Sequence, residues 1–207
     1  MSLAVGLLTA ACALTIGTLL GALAGWYGGF VDRAVLRLAD MISALPSVLL
    51  AILLMLFLGR GFMGIFVALA LAAWIPQARL VRGQVLQARE LAYVEAARAI
   101  GVPPLGILFR HLLPNLAGPM VVSLSMQIPS AIMAESFLSF IGLGLQLPFS
   151  SWGTLANEGF RAMRSYPHLI LFPGAILFLT LFAFNTLGEA LRDRLDPGRP
   201  RPEDGSA

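Results

Sequence analysis

Five apolar stretches decide what this chain can fold into. They occupy residues 3–25, 41–58, 62–78, 116–141 and 169–187. Each is long enough, or nearly so, to cross a bilayer, which takes about 20 apolar residues for ~30 Å of hydrocarbon. One water-soluble core does not need so many separate runs. The charge content agrees, because 12% of the residues are charged against about a quarter in soluble domains. The expected fold is an all-α, polytopic membrane bundle of about five transmembrane helices, filling residues 1–195. Pro46, Pro76, Pro119, Pro129 and Pro173 fall within or at the ends of these stretches. Bundles tolerate them because neighbouring helices can satisfy the freed carbonyls. Ala13, Gly17, Gly21 and Gly25 recur every fourth residue in the first stretch. That row predicts a groove where a second helix comes close.

Arginine placement sets the orientation. All 14 basic residues are arginine. Arg33, Arg37, Arg79, Arg82, Arg89, Arg98, Arg110, Arg192, Arg194, Arg199 and Arg201 lie on one side of the expected spans, and Arg60, Arg161 and Arg164 on the other. The richer set belongs in the cytoplasm. Residues 79–115 and the tail at 196–207 are therefore expected inside. Five spans then put Met1 outside, although no basic leader or small-residue cleavage site precedes the first stretch. The expectation is a further inside-to-outside helix ahead of it. The tail is rich in Pro, Gly and charge and is expected to be disordered. The outer connection, 142–168, holds Trp152, Phe160 and Tyr166, which suit a membrane interface. A short surface helix is expected at 157–164.

The cytoplasmic connection has its own pattern. Residues 83–100 are good helix formers without proline. Gly101 is a helix stop, and Pro103-Pro104 prevents simple continuation. A second short helix fits 105–112, stopping near Pro114. Within this helix–turn–helix, Ala96 and Ala97 leave a low patch that another protein can approach, with the Glu95 carboxylate beside it. The plainer reading is a solvated loop helix in which Glu95 pairs with Arg98 three residues on. At membrane depth Glu135 is the costly residue and should face a cavity or a partner. Lining a pathway and bonding to another helix both fit it. Gln127 and Asn185 are weaker candidates of the same kind. Asp32, Arg33, Arg37 and Asp40 suit either ion pairs or a solvated turn.

Several chemistries are excluded. Without lysine there is no Gly-x-x-x-x-Gly-Lys phosphate loop, so any ATP used must be hydrolysed by another chain. Cys12 is the only cysteine and forms no internal disulfide. His111 and His168 lie far apart, and no cluster has metal-ligand spacing. Neither a Gly-x-Ser-x-Gly elbow nor a His-Glu-x-x-His pair supports an intramembrane hydrolase. The arginines are dispersed along membrane margins, which argues against nucleic acid as a partner. A scaffold or passive channel remains the rival to a transporter.

Ordered blocks along nearly the whole chain resemble the permease family of binding-protein-dependent ABC importers, in its dipeptide, oligopeptide and nickel branch. They include residues 21–29 with Asp32, residues 37–40, Trp74 through Arg82, Tyr93 through Gly101, Arg110 through Asn115, Ala134 through Gly144, Ser151-Trp152-Gly153, and Leu187 through Pro197. The likeness is greatest to the second of the two permease subunits in such systems. Members usually begin with a further region containing the first transmembrane helix, which this sequence lacks. His111 replaces the aliphatic residue of the broad importer pattern, although His-x-Leu-Pro-Asn is usual in the peptide branch. The resemblance implies an importer type I permease fold in a bacterial inner membrane. It implies no cofactor on this chain, with ATP and Mg bound by partner ATPases. The implied partners are a homologous second permease, two cytoplasmic ATPase subunits, an extracytoplasmic solute-binding protein and lipid. Glu95, Ala96, Ala97, Gly101, Leu113 and Pro114 would then couple the ATPase to the spans. The transported solute stays open among dipeptides, oligopeptides, glutathione-like compounds and nickel chelates.

Overall fold

The structure is a computed structural model that describes residues 1–145 and 148–195. Among these residues the regular elements are all helical. They are α1 (Ser2–Tyr27), α2 (Gly29–Ser43), α3 (Ser47–Leu58), α4 (Phe62–Ala88), α5 (Ala92–Ala99), α6 (Pro104–Gly106), a π-helical segment (Ile107–Leu112), α7 (Leu113–Asn115), α8 (Ala117–Phe140), α9 (Trp152–Arg161) and α10 (His168–Leu195). Four helices, α1, α4, α8 and α10, are each long and apolar enough to cross a membrane, and α2 with α3 makes a bent fifth. The tail at 196–207 lies outside the described residues.

The small-residue row of α1 does what its spacing predicts. A Cβ on Gly17 would lie 2.6 Å from the Trp74 carbonyl oxygen, on Gly21 2.3 Å from that of Ala78, and on Gly25 2.8 Å from that of Arg82. The three obstacles are backbone atoms of one helix, so α1 and α4 run side by side at a separation that only glycine permits. Ala13, the fourth member of the row, is fully buried.

The second span is not the continuous helix expected over 41–58. Met41 to Ser43 close α2, and α3 begins at Ser47 after an 85° bend. Pro46 precedes α3 in extended conformation (ψ 130°). Its ring disfavours a helical Leu45 and it has no amide to donate. The 12 residues of α3 rise about 18 Å, so α3 is a short apolar segment and α2 turns off at 85° from its start.

A second correction concerns residues 83–100, which are not one helix. The chain turns at Arg89-Glu90-Leu91 and restarts as α5. Nothing local forbids continuation; tertiary packing decides. The turn lets Val94 and Ala97 join Ala22, Val81, Val85, Ile107, Leu108 and Leu112 in a buried cluster, where a straight extension would carry them into water. Arg89 anchors the turn by donating to the Gly25 carbonyl at 3.1 Å. The second loop helix is π-wound over Ile107–Leu112. Pro114 follows, whose ring would clash with the Arg110 carbonyl in a regular α-turn.

The two ends of the bundle differ in charge as the arginine count predicts. The C-termini of α1 and α4 and the start of α8 meet in one cluster with α5 and the π segment, and Leu195 of α10 reaches Gly118 of α8. This end carries Arg82, Arg89, Arg98, Arg110, Arg192 and Arg194. The opposite end packs Val5, Met55, Ile65, Leu138 and Leu145 together and carries Arg60. There α9 is longer than expected and starts earlier, at Trp152. Ser151 and Thr154 form a reciprocal capping box at its start, and Asn157 donates to the Phe140 carbonyl.

Candidate functional site: a mounted short helix and the cavity beside it

α5 is short and fixed at both ends. Val94 and Ala97, three residues apart, point into the arginine-rich end's core. Gly101 closes the helix with φ 80°. Its amide reaches the Arg98 carbonyl at 3.0 Å, and the Val102 amide reaches that of Ala97 at 3.1 Å. This pair of bonds is a complete Schellman stop, and Val102 packs beside Ala97 to complete the accompanying apolar contact. Arg98 lies over the Trp26 ring at 5.3 Å, which ties α5 to the end of α1. The expected Glu95–Arg98 pair does not form; Arg98 is drawn to the indole instead.

The outward face of α5 follows from this mounting. Glu95 and Ala96 are exposed, and Glu95 makes no hydrogen bond or ion pair among the described residues. Ala97 is buried and does not extend the low patch assigned to it with Ala96. Leu113 likewise packs against the core, while Pro114 is exposed. Gly101 is exposed at the turn. Sequence reasoning passed over Ile100, which is 81% exposed beside the equally outward Leu91 and Leu105. The available signal was an aliphatic residue directly before a glycine stop, where it has no helix face to hide in.

Next to this end lies a cavity of about 860 Å³ between α1, α3, α4, α8 and α10, with Thr9, Ala51, Pro76, Ser123, Met126 and Gln127 on its wall. Behind it stands Gln77, fully buried. Its Nε2 donates to Thr18 Oγ1 at 3.4 Å, and its Oε1 accepts from Ser123 Oγ at 2.7 Å and from Gln127 Nε2 at 2.9 Å. Three helices are thereby joined by amides and hydroxyls rather than by charge. Gln127 Oε1 and Thr9 Oγ1 are buried without a partner among the described residues. Gln77 was missed in sequence although its signal was present, as an amide near the end of an apolar run.

Glu135 and Asn185 do not join this group. Glu135 is fully enclosed and accepts from Ser139 Oγ at 2.6 Å and Ser136 Oγ at 3.3 Å. Gly144 presses on Ser139, and Gly153 on the Ser136 carbonyl, where neither leaves room for a side chain. Asn185 sits on the exposed surface of α10. Of the aspartates near the inner interface, both are paired. Asp32 takes a two-pronged contact from Arg82, with Nη2 to Oδ2 at 2.6 Å, and Asp40 accepts from Arg79 at 2.8 Å. Each pair ties α2 to α4. No group of His, Cys, Asp or Glu among the described residues is arranged to hold a metal ion.

Residues 17–200 match the family described as binding-protein-dependent transport system inner membrane component. The chain belongs to that family. It is a multi-pass inner-membrane component of a transport system, and its relatives include the oligopeptide transport system permease protein OppC of Bacillus subtilis, 41% identical over 95% of this chain and 65% of that protein. The dipeptide transport system permease protein DppC of the same organism is 43% identical over 95% of this chain and 62% of its own length. The glutathione transport system permease protein GsiD of Pectobacterium atrosepticum is 44% identical over 95% and 65%. The chain thus spans a little under two thirds of the length of these relatives. Among solved structures, the inward-facing MetNI methionine ABC transporter matches with a TM-score of 0.75 at 18% identity, over 94% of this chain and 93% of that one. An amino acid ABC transporter matches with 0.66 at 20% identity, over 91% and 90%. These two share the ABC importer permease fold with this chain.

Proposed function

We propose that this chain is the membrane-spanning permease subunit of an ATP-driven importer for peptides or a related small solute. It works beside a homologous second permease. Two cytoplasmic ATPase subunits bind and hydrolyse the ATP with Mg, and a solute-binding protein delivers cargo from outside. The observation that carries the reading is α5: a helix clamped to the ends of α1, α4 and α8 whose residues Glu95, Ala96 and Ile100 are exposed, Glu95 without a hydrogen bond or ion pair among the described residues. Such a part can move three spans together when a partner pulls it. To shift the spans, the ATPase must bind their inward-open and outward-open arrangements with different free energies. The outer surface of α10 supports a second membrane partner, since only 6% of its most apolar stretch is buried. Gln127, on the cavity wall, is the candidate for lining the solute path, and Glu135 for holding the bundle together. The relatives are named for oligopeptide, dipeptide and glutathione transport, which supports a solute of the peptide class.

The test is Glu95→Arg in the assembled importer. Its side chain is exposed and makes no hydrogen bond or ion pair among the described residues, so folding should stay within about 0.5 kcal/mol of the parent. Solute uptake driven by ATP should fall about 30-fold, the middle of the range for a coupling free energy of ~1–3 kcal/mol. Unchanged uptake with intact assembly would leave the site without a coupling role and favour a passive channel or scaffold.

A further inference from the structure

We propose that α2 is an in-plane helix that binds anionic phospholipid at the cytoplasmic face of the membrane. This goes beyond the transport reading and does not depend on it. Three observations place the helix. α1 ends at Tyr27, and Gly28 and Gly29, with φ 64° and 52°, turn the chain directly into α2. α2 then meets the apolar α3 at 85°, so when α3 enters the bilayer α2 lies along its surface. The helix also sits at the arginine-rich end, bonded to Arg79 and Arg82 of α4.

The faces of α2 are divided accordingly. At 100° per residue, Val35, Ala39 and Ile42 share one side, and these pack on Trp74, Ile75 and Ala78. Phe30 and Met41 fall on the side away from α4, with Leu38 at its margin; all three are exposed, Phe30 at 79%. Arg33 and Arg37, one turn apart, flank that apolar side and are exposed. Both aspartates of the helix are already held by arginines of α4. Arg33 and Arg37 are left without a hydrogen-bonded or ion-paired partner among the described residues. An apolar side edged by two free guanidinium groups matches a lipid. The phosphate meets the forked donors, and the acyl chain lies along Phe30, Leu38 and Met41.

Native mass spectrometry of the full chain in detergent tests this, with phosphatidylglycerol and phosphatidylcholine of equal acyl length as probes. The parent should retain phosphatidylglycerol preferentially. Arg33→Gln with Arg37→Gln should reduce that preference about 30-fold, the scale of two arginines at a membrane surface. Arg33→Lys with Arg37→Lys should keep most of it. Circular dichroism checks that each variant is folded, and the lysine pair decides the matter should the glutamine pair unfold. An unchanged preference in the glutamine pair, or its loss in the lysine pair while helicity holds, overturns the proposal. So does an equal loss in Arg161→Gln with Arg164→Gln at the opposite end. Displacement of the lipid by glycerol 3-phosphate alone would also overturn it, by showing that the arginines read a free phosphate.

Discussion

Gly21→Leu should unfold the bundle or prevent its assembly in the membrane. The reason is where the new atoms would go. The first added carbon would stand 2.3 Å from the Ala78 carbonyl oxygen and 2.9 Å from its Cα. Both belong to backbone, which cannot swing aside as a flexible side chain would. α1 and α4 would have to separate along their length. That would also loosen Gly17 from Trp74 and Gly25 from Arg82, and open the buried network around Gln77, whose Thr18 partner sits on α1. The expected loss is about 3 kcal/mol or more, at or above the upper end of ordinary overpacking. Thermal unfolding in detergent, followed by far-ultraviolet circular dichroism, reads it directly. Gly83→Ala is the matched control: it lies in α4 with nothing within 4 Å of an added Cβ, and the melting temperature should hold or rise slightly. Equal melting temperatures for Gly21→Leu and the parent would refute the close α1–α4 contact.

The second large effect is expected at Gly101. Its φ of 80° costs an L-residue about 1–2 kcal/mol, and a β-branched side chain suffers most. Gly101→Val should therefore fray the end of α5. The amide bonds from Gly101 and Val102 back into the helix would go, and Val102 would leave its contact beside Ala97. Global stability should change little, because the four long helices do not pass through this turn. ATP-driven uptake should drop about tenfold or more if α5 transmits the motion, again the scale of a coupling free energy of ~1–3 kcal/mol. Parent-level uptake in Gly101→Val, with the protein present in the membrane, would show that the orientation of α5 is irrelevant to transport. In the proposed importer Glu95→Arg removes a contact with the ATPase, whereas Gly101→Val removes the mounting of α5. Agreement between them would separate coupling from simple misfolding.

The spans were legible because the bilayer imposes one rule on composition, and the arginines mark which end is which. The glycine row was legible because its period alone defines a helix face. Less could be read where packing overrides local preference. Residues 89–91 are ordinary helix formers, yet the chain turns there so that Val94 and Ala97 reach the core. Pro46 was read as a proline that the span 41–58 tolerates, whereas the chain bends by 85° there, at an angle set by where α2 docks on α4. Ala97 was placed outward with Ala96, although its position three residues after Val94 put both on the buried side. The Glu95–Arg98 spacing was correct for an ion pair and lost to the Trp26 ring, which no local pattern brings near. Glu135 and Gln127 looked alike as polar residues at depth. The structure separates them, enclosing one beneath α9 and setting the other on the cavity wall, because α8 turns different faces to its neighbours.

The central claim is that the outward face of α5 meets an ATP-hydrolysing subunit inside the cell. Crosslinking from Ala96→Cys, in a Cys12→Ser background, tests it most directly. A short bifunctional thiol reagent applied to the assembled importer in inverted membrane vesicles should join this chain to a co-purified ATPase subunit. Mass spectrometry should locate the bond at residue 96. Absence of that adduct while the cysteine still reacts with a small maleimide, or reaction only from the extracellular side, would contradict the account.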